Sequence, residues 1–262
     1  MNARAYLRIA RNSASTIASY RASFVMGSLG VLCQLVALAA LWSALLSRGV
    51  SLAGFSLAQM KGYLFIGFAT GVLATAHRES RFASRITDGT VALDLVKPLQ
   101  YRGMRFAETL GGFAPELVMI GLVLGGYLLL AGPVAAPAQL GLLVLSVLLV
   151  LPIKFLIIYT STLACFWTSS YHGIAWARSA VTAILSGALV PLALLPGPLR
   201  AVAHWTPFSS ITSTPGLIYA GQARGAHALV LIATQLAWAV LLWVFAGWVW
   251  RRAVRRLAVV GG

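Results

Sequence analysis

Long apolar runs alternate with short polar breaks along this chain, and a run of about 20 uncharged residues predicts a helix that crosses a lipid bilayer. Six runs predict six spans: Phe24 to Leu46, Met60 to Ala76, Phe106 to Leu130, Ala138 to Thr168, Ser179 to Leu195 and Ala226 to Trp250. Lys61 sits at the outer end of the second span, where its long stem reaches water, and His77 and Arg78 close the other end. Gly132, Pro133 and Pro137 stop the third. The fourth is longer than a bilayer needs and carries Pro152 and Lys154 near its middle, so tilt, a kink or an extension into water is expected. The fold class predicted is all-α: one polytopic transmembrane domain over residues 1–262.

Three stretches break the pattern. Asn2 to Arg21 places Ala3, Leu7, Ala10, Ala14 and Ile17 on one helical stripe and Arg4, Arg8 and Arg11 on another, which predicts an amphipathic helix lying in the headgroup plane. A cleaved signal peptide fits less well, because the polar lead is long and the apolar run after it is full length. Between spans two and three, His77 to Arg105 is the only long polar segment, and Glu79, Asp88, Asp94 and Glu108 lie in or beside it. Pro196 to Gly225 mixes Pro, Gly, Trp, Ser and Thr with apolar residues. It is too broken to cross alone and predicts a segment that dips into the membrane and returns, its backbone covered by protein or water.

Composition confirms the class: 60% of the residues are hydrophobic and 10% charged. The net charge of +15 would suggest nucleic acid in a soluble protein, but here it decides orientation. With the amino terminus inside, Arg4 to Arg21, Arg78 to Arg105, Arg178 and Arg251 to Arg256 all fall on the cytoplasmic side, against Arg48, Lys61, Arg200 and Arg224 outside. Both termini are therefore expected in the cytoplasm, together with the polar segment at residues 78–105. Cys33 and Cys165 fall within apolar runs and carry no metal spacing.

In the polar segment, Arg78 to Ile86 can form a short helix with Phe82 and Ile86 one turn apart and Arg78, Arg81 and Arg85 facing water or an acidic partner. Asp88 and Gly89 make a turn, since glycine accepts a positive backbone angle, and Pro98 ends the next piece by restricting Lys97. A compact knob with apolar anchors Phe82 and Ile86 and charged rim residues Arg81, Arg85 and Asp88 suits insertion into another protein's groove. The competing reading is a solvated loop whose cations touch anionic lipid. Within the spans, Glu116 lies about 15 Å above the start of span three and Lys154 about 21 Å above the end of span four, so a neutralising pair across neighbouring helices is expected.

Catalytic patterns are absent from the sequence. His77, His172, His204 and His227 are scattered without His-Glu-x-x-His spacing, which weighs against an intramembrane enzyme. No phosphate loop occurs around Lys61, Lys97 or Lys154, so the chain is not its own ATPase. A proton-coupled secondary transporter using Glu116 is the alternative, weakened by a single isolated carboxylate and no discernible inverted repeat.

Ile86, Gly89, Val91, Leu95, Val96, Lys97, Pro98 and Leu99 follow the pattern Ile-x-x-Gly-x-(Ile/Val)-Asp-x-x-Leu-(Leu/Val)-(Arg/Lys)-Pro-Leu, with Ala92 at the usual Asp position and Asp94 two residues later. Between spans five and six, Ser186, Gly187, Pro191, Pro196, Pro207, Phe208, Pro215 and Gly221 form a Gly...Pro...Pro...Pro-Phe...Pro...Gly series. In both features the chain resembles permease subunits of bacterial type 2 ABC exporters. That resemblance implies a permease in the bacterial cell membrane that pairs with a second, identical or related permease and docks on two ATP-binding subunits. ATP and Mg would be bound by those subunits, and no cofactor by this chain. The resemblance also makes residues 2–21 an elbow helix, residues 78–105 a coupling loop, and residues 196–225 an outer re-entrant segment with its gate at Pro207 and Phe208.

Overall fold

In a computed structural model, the described residues are 6–10, 21–46, 54–73, 79–168 and 170–260. Among them every element is helical and no strand forms. In chain order the helices are α1 (Arg21–Leu46), α2 (Leu57–Val72), α3 (Glu79–Thr87), α4 (Val91–Leu95), α5 (Tyr101–Gly111), α6 (Phe113–Ala131), α7 (Leu140–Leu163), α8 (Tyr171–Leu185), α9 (Gly197–His204), α10 (Ser209–Tyr219) and α11 (Ala226–Val260). Single 3-10 turns follow α7 at Ala164–Phe166 and precede α9 at Leu192–Leu194.

Four segments are long and apolar enough to cross a membrane: Val25–Leu46, Tyr101–Ala131, Leu140–Phe166 and Ala226–Arg256. They correspond to the first, third, fourth and sixth predicted spans. The second run folds as α2, whose 16 residues rise only about 24 Å. The fifth run, Ser179 to Leu195, is not one continuous helix. Its helix starts earlier, at Tyr171, and stops at Leu185, because Gly187 takes φ +80° and a side chain there would meet the Tyr63 hydroxyl at 2.7 Å. The residues from Tyr171 to Arg178, ahead of that run, are accordingly helical.

The third predicted span divides at Gly112 into α5 and α6. Pro115 explains the break: it lacks an N–H and its ring crowds the carbonyl four residues back, at Gly111. The backbone of Ala10 occupies the space a side chain at Gly111 would need, so residues 6–10 lie against this break. They are helical, as predicted for that part of the amino-terminal helix, and the rest of residues 2–21 ahead of Arg21 lies outside the described residues. Tyr6 and Ile9 pack on the protein while Leu7 stays exposed.

Two apolar clusters form the interior. One gathers Leu35, Trp42, Phe55, Tyr63, Tyr127 and Ile218. The other gathers Phe82, Val91, Tyr101, Phe155, Tyr159 and Ile211, with Trp250 stacked on Tyr101 at 4.4 Å between ring centroids. Trp250 is thus partly a core residue. α10 runs between the clusters, with Ile211 in one and Ile218 in the other. α7 packs along α11, and α2 along α10.

The α2 and α10 seam is built from interleaved glycines and tyrosines. Tyr219 fills the space beside Gly62, Tyr63 lies where a Gly216 side chain would sit, at 2.6 Å, and Thr70 and Thr212 share a hydroxyl contact of 3.2 Å. Ser56 caps α2 with a reciprocal pair: its hydroxyl accepts from the Gln59 N–H, and the Gln59 side chain accepts from the Ser56 N–H. The Gln59 amide also donates to the Ala220 carbonyl at 2.9 Å, joining the start of α2 to the end of α10. Of the small-residue pairs Gly67–Gly71 and Gly121–Gly125, only Gly67 makes a close approach, to Thr212.

Candidate functional site

The polar segment folds into the compact knob that its turn residues predict. α3 ends in the Asp88–Gly89 turn, Gly89 takes φ +72°, and the chain reverses into α4 before Pro98 leads to α5. One buried carboxylate ties the three helices together. Asp94, on α4 and 4% exposed, accepts from Arg85 of α3 at 2.8 Å, from Lys97 at 2.6 Å and from Arg105 of α5 at 3.1 Å. Burial pushes the Asp94 carboxyl up, but the Lys97 hydrogen bond, the Arg105 charge and Arg85 outweigh it and hold it below the usual carboxylate range. Arg105 is itself buried and continues the network to Glu108 at 2.9 Å.

The apolar anchors expected on the knob turn inward. Phe82 and Ile86 are about 95% buried, with Phe82 stacked on Tyr159 of α7 at 5.5 Å, so within this chain they fix the knob to the bundle. Helical periodicity is the reason: residues 82 and 86 share a stripe with the buried Glu79 and Ala83, opposite Arg81 and Ser84. The outer apolar surface belongs to α4 and its end, where Leu93 is 70% and Val96 83% exposed. Arg81, Asp88, Lys97 and Pro98 are exposed around it, and Gly89 is exposed at the tip. Arg78 lies outside the described residues.

A second buried ion pair fastens the knob from the other side. The Arg178 guanidinium of α8 donates through both terminal nitrogens to Glu79 in the first turn of α3, one contact measuring 2.7 Å, and to the Ser161 hydroxyl of α7 at 2.9 Å. The sequence pattern marks Arg178 only as a cytoplasmic cation. The signal that could have found the pair is scarcity: with five acidic residues in the chain, a Glu at the start of a cation-rich loop is a strong candidate partner.

Glu116 sits buried in the first turn of α6. Lys154 of α7 donates to the Thr70 carbonyl at 3.0 Å and to the Gly71 carbonyl, both in the last turn of α2. The charges of Glu116 and Lys154 act on one another. The direct contacts described for Lys154 are with the end of α2, a helix-capping role that sequence spacing did not suggest.

Beyond α8 the chain turns through Pro191 and Pro196 into α9, then through Pro207 and Phe208 into α10. α10 is buried from Ser210 to Gly216 although it carries Ser210, Thr212, Ser213 and Thr214. Its polar groups are met by neighbours: the Ser213 N–H donates to the Ser186 carbonyl at 3.0 Å, and Gln235 of α11 donates to the Ser210 carbonyl at 2.8 Å. Phe208 packs against the cluster that contains Phe82, so the tip of the segment lies toward the knob and the Tyr219 end lies away from it. Among the described residues, no group of His, Cys, Asp and Glu could hold a metal ion.

Several apolar helices long enough to span, a charged knob between two of them and a buried, hydroxyl-bearing helix, α10, before the last define a polytopic membrane protein. The chain belongs to the ABC-2 transporter family: the family described as ABC-2 family transporter protein matches residues 32–261. It is a permease, the membrane component of a transporter. No curated protein and no solved structure matches the chain.

Proposed function

We propose that this permease is the membrane subunit of an ATP-driven exporter, worked by separate ATP-binding subunits through the α3–α4 knob. The observation that carries the reading is the knob itself: three short helices locked by Asp94 hold Leu93 and Val96 in the open, ringed by Arg81, Asp88 and Lys97. A rigid handle with an apolar tip can pass on a partner's motion, and a nucleotide-driven partner shifts the permease only if it grips its two states with different affinity. Two ATPase subunits bind ATP and Mg, and a second permease, identical or related, completes the path. Six crossings fit the charge distribution, with α2 and α8 extended by flanking chain, both termini in the cytoplasm and the bacterial inner membrane as the site. Pro207 and Phe208, at the tip of the re-entrant pair, act as the gate. Glu116 and Lys154 neutralise one another's charge within the bundle.

Co-reconstitution with the ATPase partner tests this. ATP-dependent flux that disappears when the partner is omitted supports the proposal. Flux driven by an imposed proton gradient with the partner absent overturns it in favour of a secondary transporter using Glu116, whose burial and electrostatic tie to Lys154 favour that second reading.

A further inference from the structure

Gln235 of α11 is fully buried, and neither the knob nor the charged pairs use it. Counted along the helical rise it lies about 14 Å from Ala226, close to half of the roughly 30 Å hydrocarbon thickness. An amide at that depth costs free energy unless its donors and its acceptor are all met. The donors are met: the side-chain nitrogen gives one hydrogen bond to the Ser210 carbonyl of α10 at 2.8 Å and one to the Ser146 carbonyl of α7 at 3.3 Å. Gln235 thereby holds the first turn of α10 against α7.

The same two bonds fix which way the amide points. Turning it over would set its oxygen against two carbonyl oxygens, so Oε1 faces away from both. Among the described residues, Oε1 has no hydrogen-bond partner, and neither has the hydroxyl of Ser146, whose carbonyl the same amide touches. Both residues are fully buried. A serine inside a helix can return its proton to the carbonyl four residues back, but the Ser146 hydroxyl makes no such bond and its proton is left for a group outside the α7 backbone.

The chemistry of these atoms selects what lies between them. Oε1 only accepts, while a hydroxyl donates and accepts. An anion would be repelled by the amide oxygen. A cation would meet neutral oxygens alone, because α7, α10 and α11, which form the junction, carry no acidic residue. Water donates to Oε1 and exchanges a hydrogen bond with Oγ, and buried waters in proteins bind to polar atoms left over in this way.

We propose that Ser146 and Gln235 hold an ordered internal water molecule that bridges Oγ and Oε1 where α7, α10 and α11 meet. A bridging water is nearly as favourable as a direct hydrogen bond, so it completes the polar junction that anchors the start of α10. The site is the same whether or not the transporter is driven by ATP.

Hydroxyl-radical footprinting of the full chain in nanodiscs, with the solvent switched to oxygen-18 water just before irradiation, tests it. Radicals formed from an internal water oxidise the side chains beside it, however deeply they are buried. Val150 lies one turn from Ser146, Ile211 follows Ser210, and both are buried. Both should be oxidised in the wild type and should take up oxygen-18 later than exposed residues do. Ser146→Ala should weaken that label and Gln235→Leu should reduce it to background; if the leucine variant does not fold, the wild type and Ser146→Ala still decide. Unoxidised Val150 and Ile211 in the wild type, or the same label in Ser146→Ala as in the wild type, would overturn the water and leave a direct bond between Ser146 and Gln235. Thermal protection by sodium over choline that vanishes in Gln235→Leu would also overturn it, by giving the place to a cation.

Discussion

Arg178 and Glu79 are 99 residues apart, yet they form a bidentate ion pair, with the Glu79 side chain 1% and the Arg178 side chain 11% exposed. The pair joins α8 to the first turn of α3, so the knob is tied to the helix that leads to α9 and α10. Removing one member strands a buried charge, whereas removing both does not. Glu79→Gln and Arg178→Gln should each destabilise the protein by about 3 kcal/mol, and the double variant should cost less than the sum of the two. Thermal unfolding of the four proteins in one detergent measures the cycle, and additive losses would show that the pair contributes no coupling.

Asp94 gives the knob a defined dependence on pH. Its carboxyl titrates lower in the folded protein than in the unfolded chain, so its stabilising contribution is complete above the ordinary carboxylate value of about 4 and is lost as pH falls through the lower, folded value. Asp94→Asn should therefore lower the melting temperature at pH 7, and by progressively less as pH falls below the ordinary carboxylate value. Arg85 and Lys97 are half exposed and screened by solvent, while the Arg105 side chain is 8% exposed. Arg105→Gln should accordingly destabilise more than Lys97→Gln, measured in the same melts.

Much of this architecture was legible in the residue pattern, and the exceptions have physical causes. The apolar runs at Phe24 and Ala138 folded close to their predicted bounds because length and hydropathy suffice there, while the run at Ala226 starts as predicted but stays helical beyond Trp250 to Val260. Gly89 and Pro98 marked the knob because glycine accepts the positive φ of the turn and proline restricts the residue before it. Tertiary contacts decided the rest. Whether Phe82 faces a partner or Tyr159 depends on which side of α3 meets α7, and a single amphipathic helix does not specify that. The run from Ser179 looked continuous because its break depends on Tyr63, more than a hundred residues earlier, whose hydroxyl donates to the Gly187 carbonyl at 2.9 Å. Lys154 also donates to carbonyls at the end of a distant helix, an acceptor set that carries no sequence signature.

Coupling and folding should separate on the knob. Leu93 and Val96 are exposed, so Leu93→Asp or Val96→Asp is expected to leave the melting temperature within a few degrees of wild type and to abolish ATP-dependent transport with the partner present. Phe82→Ala should instead lose about 3 kcal/mol of stability, because it opens a cavity against Tyr101 and Tyr159. Parallel melts and flux assays distinguish them. Full transport in both aspartate variants would remove the knob from the coupling path.

The packing of α2 on α10 yields a contrast between glycines. A methyl group at Gly216 would lie 2.6 Å from the Tyr63 ring, and Tyr63 is held by its hydrogen bond to Gly187, so the ring has little freedom to retreat. Gly216→Ala should cost about 1 to 3 kcal/mol, the usual range for overpacking a filled interior. At Gly121 of α6 no atom lies within 4 Å of the added methyl, and the substitution should be neutral or stabilise by up to about 1 kcal/mol through helix propensity. If the re-entrant helix moves during transport, the seam through Gly216 must be close-packed in one state and looser in another. Gly216→Ala would then lower transport more than its loss of stability accounts for, while Tyr63→Ala/Gly216→Ala, which vacates the ring's space, would restore part of the transport lost. Melting temperature and flux measured on the same preparations separate the two effects, and transport that merely tracks stability across both variants would place the moving seam elsewhere.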